Sequence, residues 1–355
     1  MSDFGVYVHV PFCRHRCDYC AFATFTDRDH LMVRYVDAVC ADIRRSRSEG
    51  MRTADTIFFG GGTPTRLAPA LLGSILDEIP RADDAEVTVE CNPDDVSDEM
   101  FRVFVDHGVN RVSFGVQSMQ AHVLKSLGRT HDPDNVRRGV DAARRAGLAN
   151  FNLDVIYGAH GETVEDWERT VRSVVALDPP HVSAYGLTVE AGTPLAERPA
   201  EHPDDDRQAE MYEVADDLLA ASGLENYEVS NWARPGHESR HNRMYWDQGD
   251  YRGFGSAAHS HESGRRWWNV RTPERYVEAV EGGRSPQSAE EILDVDTRRI
   301  EGLQLALRTR DGVPAVAFSP DDLRLLDDMV KVVGEQVVLT RRGRLMANEV
   351  SLRLR

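Results

Sequence analysis

The chain lacks the features of a secreted or membrane-spanning protein. Although 41% of its 355 residues are apolar, none of its apolar runs approaches the roughly 20 residues that a transmembrane helix needs. The N-terminus, MSDFGVYVHVPF, has no basic segment followed by an apolar one, which is the pattern of a secretory signal. We therefore expect a cytoplasmic protein with no membrane span.

The chain also lacks an excess of positive charge. Its 42 Lys and Arg residues are outnumbered by 59 Asp and Glu residues, which gives a net charge of −17. Such an acidic surface repels nucleic acid and anionic lipid. We expect no nucleic-acid partner.

Cysteine is scarce and unevenly placed. Of five cysteines, Cys13, Cys17 and Cys20 lie together, whereas Cys40 and Cys91 stand alone. A protein kept inside the cell holds these groups as thiols, so the cluster indicates a metal centre rather than disulfides. The two isolated cysteines are expected to be small buried residues.

Strand-like and helix-like patterns alternate over the first 190 residues. Short β-rich segments that end in Gly, Asn or Pro lie near residues 4–10, 55–61, 86–91, 110–116, 149–156 and 181–188. Helical patterns lie near residues 28–48, 66–79, 97–107, 119–127, 133–146 and 163–177. The alternation predicts parallel βα units, in a barrel or in an open doubly wound sheet.

One face of the predicted strands is polar. Because side chains alternate between the two faces of a strand, one set shares the face opposite the apolar residues: Tyr7, His9, Glu86, Thr88, Glu90, Ser113, Gln117, Asn152 and Asp154. A purely structural barrel fills its interior with branched apolar residues. We interpret the polar face as a ligand site. The alternative is that one or two of these strands lie at a solvent-facing sheet edge.

The pattern changes after residue 190. Residues 204–222 predict a helix, and residues 231–268 have no clean period. We predict three regions: a core over 1–232, a connecting region over 233–285 and a small C-terminal domain over 286–355.

The C-terminal domain is expected to be helical and to end in a hairpin. Helical patterns near 294–308 and 320–331 precede an apparent hairpin over 332–354, which resembles a winged helix. Arg341, Arg342 and Arg344 could suggest DNA contact, but the acidic total favours a solvated hairpin tip.

The sharpest motif is a CxxxCxxC run, Cys13-Arg-His-Arg-Cys17-Asp-Tyr-Cys20. Three thiolates on one short loop can each bind one iron of a [4Fe–4S] cube and leave the fourth iron open. That iron can chelate an amine and a carboxylate, such as those of methionine. Zinc with His9, His15 or Asp18 as the fourth ligand is the alternative, although no second CxxC pair occurs. Unligated thiols are a further alternative.

A glycine run follows the second predicted strand, in Phe59-Gly60-Gly61-Gly62-Thr63-Pro64-Thr65. Glycines let backbone amides and carbonyls approach a ligand closely. The run is not a phosphate-binding P-loop, because the following Lys-Ser/Thr is missing.

Together, five motifs resemble the radical S-adenosylmethionine (SAM) superfamily, and within it the oxygen-independent coproporphyrinogen dehydrogenase branch. The motifs are the cysteine run, GGGTPT, Glu90-Cys91-Asn92-Pro93, Ser113-Phe114-Gly115-Val116-Gln117-Ser118 and Asn152-Leu153-Asp154-Val155-Ile156-Tyr157-Gly158. They span much of the chain in the right order. The resemblance implies an open, partial (βα)₆ barrel within the α/β class, followed by the small C-terminal domain.

Within this branch the chain resembles heme chaperones more than dehydrogenases. The dehydrogenases carry a further Cys where this chain has Phe22, and an extension before the first strand, which here starts close to Met1. The hexapeptide His241-Asn242-Arg243-Met244-Tyr245-Trp246 fits the HNxxYW heme-binding signature of the chaperones. A neutral imidazole is a common axial ligand of heme iron, and Tyr and Trp offer flat apolar area to a porphyrin. A packed loop with one hydrogen-bonded His is the alternative, and His237, His259 and His261 are nearby alternative ligands.

The resemblance implies a set of cofactor sites. Cys13, Cys17 and Cys20 would hold a [4Fe–4S] cluster. The residues matching SAM contacts are Tyr7, Tyr19, Gly61, Gly62, Thr63, Glu90, Gln117, Arg129 and Asp154. The residues matching the heme signature are His241, Asn242, Tyr245 and Trp246. No catalytic residue is assigned.

The function implied is that of a heme chaperone, which delivers heme to heme-requiring clients such as membrane-bound respiratory enzymes. A homodimer is left open. The first alternative is a dehydrogenase that converts coproporphyrinogen III to protoporphyrinogen IX by radical decarboxylation. A radical enzyme acting on an unrelated substrate and a purely structural cluster are the remaining alternatives.

Overall fold

Six parallel strands and the helices between them form an open barrel in a computed structural model that describes residues 3–355. The strands are β1 (Phe4–Val10), β2 (Ala54–Gly61), β3 (Arg81–Cys91), β4 (Arg111–Gln117), β5 (Phe151–Tyr157) and β6 (His181–Gly186). The helices are α1 (Met32–Ser48), α2 (Pro69–Glu78), α3 (Asp98–Asp106), α4 (Ala121–Ser126), α5 (Pro133–Arg145) and α6 (Val164–Val175). Adjacent strands pair in chain order. The α/β partial barrel is confirmed, with β3 beginning earlier than predicted.

Local signals mark the boundaries of two of these helices, α5 and α6. The Asp132 carboxylate accepts a hydrogen bond from the Asp134 amide at 2.9 Å at the start of α5, and Gly147 after its end has a φ of 89° that suits glycine. Thr163 and Asp166 form a reciprocal capping box at the start of α6. These short-range bonds explain why the boundaries were predictable.

The two faces of the barrel strands divide as the alternation predicts. Val6, Val8 and Val10 are fully buried in the main hydrophobic core beneath the helices. Glu90 and Asp154 point to the other side, into the barrel interior. The interior is therefore polar.

The sheet continues beyond the barrel on both sides, to twelve strands in all. After α7 (Asp205–Ala221), two short strands extend it next to β6, namely β7 (Glu225–Glu228) and β8 (Asn231–Ala233). After α8 (Arg240–Trp246), a second extension next to β1 comprises β9 (Asp250–Phe254), β10 (His259–Glu262), β11 (Arg265–Asn269) and, beyond α9 (Pro273–Glu281), β12 (Gln287–Ile292). Strands this short contain too few alternating apolar and polar residues to show a period. This is why residues 231–268 showed no clear pattern in the sequence. The division of the chain at residues 232 and 285 stays a prediction.

The C-terminal part has its own small core around Leu307, Phe318 and Val337. Its elements are α10 (Val295–Ala306), β13 (Val313–Pro314), α11 (Pro320–Leu325), β14 (Val330–Val333), β15 (Gln336–Leu339), α12 (Arg341–Leu345) and α13 (Ala347–Ser351). The predicted hairpin is confirmed as β14 and β15, but it is shorter than predicted. The chain turns helical after Leu339 because the Thr340 hydroxyl caps α12, accepting from the Gly343 amide at 3.1 Å.

The arginines after the hairpin do not form a solvated tip, so that interpretation was wrong. Arg341 Nε and Arg344 Nη2 each lie 2.7 Å from the Asp216 carboxylate on α7. Arg342 pairs with Asp328 at 2.7 Å. Asp216 is buried and also accepts a hydrogen bond from the Trp232 indole. Arg341 and Arg344 therefore join the C-terminal part to the barrel, whereas Arg342 pairs within the C-terminal part.

Within residues 3–355, no helix is both long enough and apolar enough to cross a membrane.

Candidate functional site

A cavity of about 690 Å³ opens at the carboxyl ends of the barrel strands. Loops at this end of parallel strands are where α/β barrels place their ligands. The predicted cluster and SAM residues that line it are Cys13, Cys17, Tyr19, Cys20, Gly61, Gly62, Thr63, Glu90, Gln117, Arg129 and Asp154. Tyr7 lies behind this layer, with its hydroxyl 3.1 Å from His9 Nδ1. Residues from distant parts of the sequence therefore meet in one place.

The three clustered cysteines lie on the loop that follows β1. Backbone bonds tie this loop down, from the Cys13 amide to the Phe25 carbonyl at 3.0 Å and from the Phe25 amide to the Pro11 carbonyl at 2.8 Å. All three thiols are free and face the cavity, and burial raises the pKa of Cys13 and of Cys20. Among residues 3–355, no three His, Cys, Asp or Glu side chains are grouped so as to hold a single metal ion. Three free thiols on one cavity wall fit a [4Fe–4S] cluster with one open iron.

The glycine strip packs directly beneath the cysteine loop. A Cβ on Gly62 would lie 2.8 Å from both the Phe12 and the Val10 carbonyl oxygens, and one on Gly61 would lie 2.3 Å from the His9 ring. The Gly62 amide donates to the Val10 carbonyl at 2.8 Å. Only glycine allows β2 and the cysteine loop to approach this closely.

Two half-buried carboxylates, Glu90 and Asp154, face the cavity from β3 and β5. Burial, and then the charge of Asp154, raise the pKa of Glu90 to about 8, and burial raises the pKa of Asp154. Glu90 accepts a hydrogen bond from the Gly61 amide at 3.2 Å, and Asp154 accepts one from the Ser113 hydroxyl at 2.6 Å. The pair suits a ligand that offers hydroxyl or ammonium donors.

Arg129 brings a positive charge to the same cavity. Its guanidinium donates to the Tyr19 hydroxyl at 3.3 Å. Burial opposes the charge of Arg129, but Tyr19 and the Cys17 and Cys13 thiols more than offset this and raise its pKa. The side chain is positioned beside the cluster loop.

Sequence reasoning missed a buried polar chain that leads from the cavity to the other end of the barrel. The Asn152 amide donates to Asp154 at 2.8 Å, its oxygen lies 2.7 Å from His181 Nδ1, and His181 Nε2 lies 2.8 Å from the Tyr227 hydroxyl. The Tyr227 hydroxyl accepts from the Ser239 amide at 3.4 Å, at the start of α8. His181 faces inward from β6, so the strand alternation could have identified it.

The HNxxYW hexapeptide forms α8, which lies at the amino ends of the barrel strands, away from the cavity. Its His241 amide donates to the Glu86 carboxylate at 3.1 Å. The His241 ring stacks on Phe58, with ring centroids 5.3 Å apart. Its Nδ1 lies 2.8 Å from the Thr56 hydroxyl and its Nε2 lies 2.8 Å from the Tyr245 hydroxyl.

His241 is therefore closed off in this arrangement. It is 1% exposed, and burial, followed by the Arg111 charge, lowers its pKa to about 3, so that the ring is neutral. Asn242, Tyr245 and Trp246 are half-buried. Both ring nitrogens have partners, so heme iron could reach His241 only after α8 had moved.

The nearby alternative histidines differ in access. His261 is buried, with Nδ1 2.9 Å from the Gly249 carbonyl oxygen. His259 is exposed and stacks on Trp268 with ring centroids 5.6 Å apart. His237 is half-buried.

The fold and cavity define a radical SAM protein. Residues 7–174 match the Radical SAM superfamily. The coproporphyrinogen III oxidase HemN of Escherichia coli has the same fold, with a TM-score of 0.86 and 23% identity over 99% of this chain and 89% of that one. The superfamily implies a [4Fe–4S] cluster and SAM.

Curated relatives narrow the assignment. The heme chaperone HemW of Mycobacterium tuberculosis (strain ATCC 25618 / H37Rv) is 40% identical, over 98% of this chain and 94% of the relative. The heme chaperone HemW of Bacillus subtilis (strain 168) is 34% identical, over 98% of this chain and 97% of the relative. The chain belongs to the HemW family of radical SAM proteins.

Proposed function

We propose that the protein is a heme chaperone that binds a [4Fe–4S] cluster, SAM and heme, and that delivers heme to heme-requiring proteins. The observation that carries this proposal is similarity to HemW heme chaperones over 98% of the chain. Membrane-bound respiratory enzymes are the clients we propose. A cytoplasmic location and a homodimer stay predictions.

In this proposal the cavity holds the cluster and SAM. Cys13, Cys17 and Cys20 would bind three irons, and the cluster when bound supplies an open iron that can chelate the amino-acid end of SAM. Glu90 and Asp154 would accept hydrogen bonds from ribose hydroxyls or the ammonium. The Gly61–Gly62 backbone allows close contact, and Gln117 and Thr63 border the same space.

The heme would bind at α8, through His241 with Asn242, Tyr245 and Trp246 nearby. His241 is neutral, as an iron ligand must be, but its Nε2 is occupied by the Tyr245 hydroxyl at 2.8 Å. Heme binding at this residue therefore requires α8 to open and exchanges that hydrogen bond for an iron bond.

An anaerobic heme titration of the cluster-reconstituted protein, followed at the Soret band, tests the proposal. We expect saturable one-to-one binding that His241→Ala weakens and that the exposed control His160→Ala leaves unchanged. No saturable binding by the wild type would contradict the chaperone function and direct attention to coproporphyrinogen decarboxylation.

A second variant separates ligation by His241 from a structural role. Tyr245→Phe keeps the aromatic ring but removes the hydroxyl that occupies His241 Nε2. If His241 is the iron ligand, freeing this nitrogen should tighten heme binding. If both His241→Ala and Tyr245→Phe bind heme as the wild type does, the ligand lies elsewhere, and His259 is the next residue to replace.

A further inference from the structure

A second, smaller cavity lies where the C-terminal part meets β7. Its volume is about 240 Å³, below the roughly 300–1,000 Å³ of pockets that hold drug-sized molecules, so it suits a small ion or group. Half of its ten lining residues are basic and none is acidic, although acidic residues outnumber basic ones in the whole chain. We call this cavity the basic pocket, and its basic residues are Arg308, Arg310, Lys331, Arg341 and Arg344.

Backbone pairing fixes the walls of the basic pocket. The Val229 amide donates to the Arg308 carbonyl at 3.1 Å, and the Arg310 amide donates to the Tyr227 carbonyl at 2.9 Å. Lys331 lies on β14, which pairs with β15 in the hairpin. The cations on these two segments are therefore held near one another by backbone hydrogen bonds.

Three of the five basic residues have carboxylate partners. Arg341 and Arg344 both pair with Asp216, and Arg310 pairs with Glu238 at 2.7 Å. Neither of these carboxylates lines the pocket. The charges of these three arginines are thus largely balanced from outside the basic pocket.

Arg308 and Lys331 have no such partner. The Arg308 guanidinium donates to the Gln304 carbonyl at 2.9 Å and to the Asn348 side-chain oxygen at 2.6 Å, and both acceptors are neutral. Burial lowers the pKa of Arg308, and the charge of Glu228 opposes this effect, but the two form no ion pair within residues 3–355. Lys331 is exposed and forms no ion pair or side-chain hydrogen bond in the described part of the chain. Two positive charges of the pocket are therefore unbalanced.

One hydrogen-bond donor beside these charges is also unused. The Arg344 side chain is 15% exposed, and its buried Nε has no hydrogen-bond partner among residues 3–355. Buried polar groups in native proteins are nearly always hydrogen-bonded. The unbalanced charges and the unused donor both favour an anionic ligand.

We propose that the basic pocket binds a phosphate group, and that Arg308 and Lys331 are its binding residues. A phosphate monoester carries a charge of about −1.5 to −2 at pH 7 and three strong acceptor oxygens, which matches two unbalanced cations. A carboxylate, with a single charge, would leave one of them unbalanced. The planar donor fork of Arg also fits phosphate geometry. The inference goes beyond the proposed function and does not depend on SAM or heme binding.

Calorimetric titration of the cluster-reconstituted full chain, in a buffer without phosphate, tests the inference. We expect saturable binding of inorganic phosphate that Arg308→Gln and Lys331→Gln each weaken roughly tenfold or more, as for one hydrogen bond to a charged group. The control variants Arg102→Gln and Lys125→Gln, at exposed positions outside the pocket, should bind phosphate as the wild type does. Acetate should bind far more weakly than phosphate.

Phenyl phosphate is titrated in parallel to identify the source of the phosphate group. Tighter binding of this monoester than of inorganic phosphate would support the phosphate end of a larger molecule as the ligand. Tighter binding of inorganic phosphate would support the free ion.

Lysine acetylation gives a second readout on the unmodified wild-type sequence. The chain has two lysines, Lys125 and Lys331, and both are exposed. Phosphate should slow the acetylation of Lys331 by an N-hydroxysuccinimide ester and leave that of Lys125 unchanged, as measured by mass spectrometry of the two peptides.

The opposite results would overturn the inference. Absence of saturable phosphate binding by the wild type would remove the site, and equal weakening by the control variants would show that only the overall charge matters. Acetate binding as tight as phosphate binding would contradict the phosphate class. Protection of both lysines or of neither would show that phosphate does not bind beside Lys331. Iron content and the thermal unfolding midpoint identify any variant that fails to fold.

Discussion

The ionised Glu90 carboxylate should destabilise the ligand-free protein but favour ligand binding. The substitution Glu90→Gln separates these two effects. Its pKa is raised from 4.5 to about 8 in the folded protein, chiefly by burial. The folded state therefore binds the proton more tightly than the unfolded state does. By linkage, the stability of the ligand-free protein falls as pH rises from about 4.5 to about 8.

The size of this effect follows from the shift. A difference of about 3.5 pH units, taken from 4.5 and about 8, corresponds at about 1.4 kcal/mol per unit to a limit of about 5 kcal/mol above pH 8. Gln cannot ionise and can still accept the hydrogen bond from the Gly61 amide. We expect Glu90→Gln to lie within about 1 kcal/mol of the wild type at pH 5 and to be more stable at pH 9, by up to about 5 kcal/mol.

Urea unfolding of the ligand-free protein at pH 5 and pH 9 measures this difference. The control is Glu213→Gln, on an exposed position of α7, which should change little at either pH. A Glu90→Gln variant that is no more stable than the wild type at pH 9 would refute the reasoning.

The same pKa shift predicts the opposite pH dependence for SAM affinity. A hydroxyl or ammonium donor favours the ionised carboxylate, so SAM affinity of the reconstituted wild type should rise with pH up to about 8 and then level off. At two units below that pKa only about 1% of Glu90 is ionised, so the affinity should fall by up to roughly 100-fold. Glu90→Gln should bind SAM weakly and with less dependence on pH. A pH-independent wild-type affinity, measured by calorimetry, would show that Glu90 does not contact SAM as a carboxylate.

Three further predictions concern residues that hold the structure around the site. Asp216→Ala leaves two arginines without their shared carboxylate, and it should lower the free energy of unfolding by about 3 kcal/mol in urea unfolding. The control Asp217→Ala, at an exposed position, should lower it far less, and equal losses would contradict the reasoning. Gly62→Ala places a Cβ 2.8 Å from two carbonyl oxygens and should lower the iron bound after reconstitution; full iron content would show that the loop can shift. His181→Phe removes both bonds of a buried ring and should cost about 2–3 kcal/mol, against about 1 kcal/mol for Tyr227→Phe; a smaller loss for His181→Phe than for Tyr227→Phe would contradict the polar chain.

Local patterns in the sequence determined the barrel and the position of its chemistry. The six strands and six helices were predictable because each shows the period of its own structure, and α5 and α6 also begin at the side-chain caps Asp132 and Thr163. The alternation of side chains along β3 and β5 placed Glu90 and Asp154 on the inner face, and parallel strands bring their carboxyl ends together. The spacing of the three cysteines was enough to predict that they lie together on one loop.

The tertiary structure alone decided how distant segments meet. The hexapeptide of α8 gave no sign that it lies at the amino ends of the strands with His241 buried against Thr56 and Phe58. The pairing of Arg341 and Arg344 with Asp216 was equally hidden. These contacts join residues more than a hundred positions apart, and such pairings depend on how whole elements pack rather than on any local period.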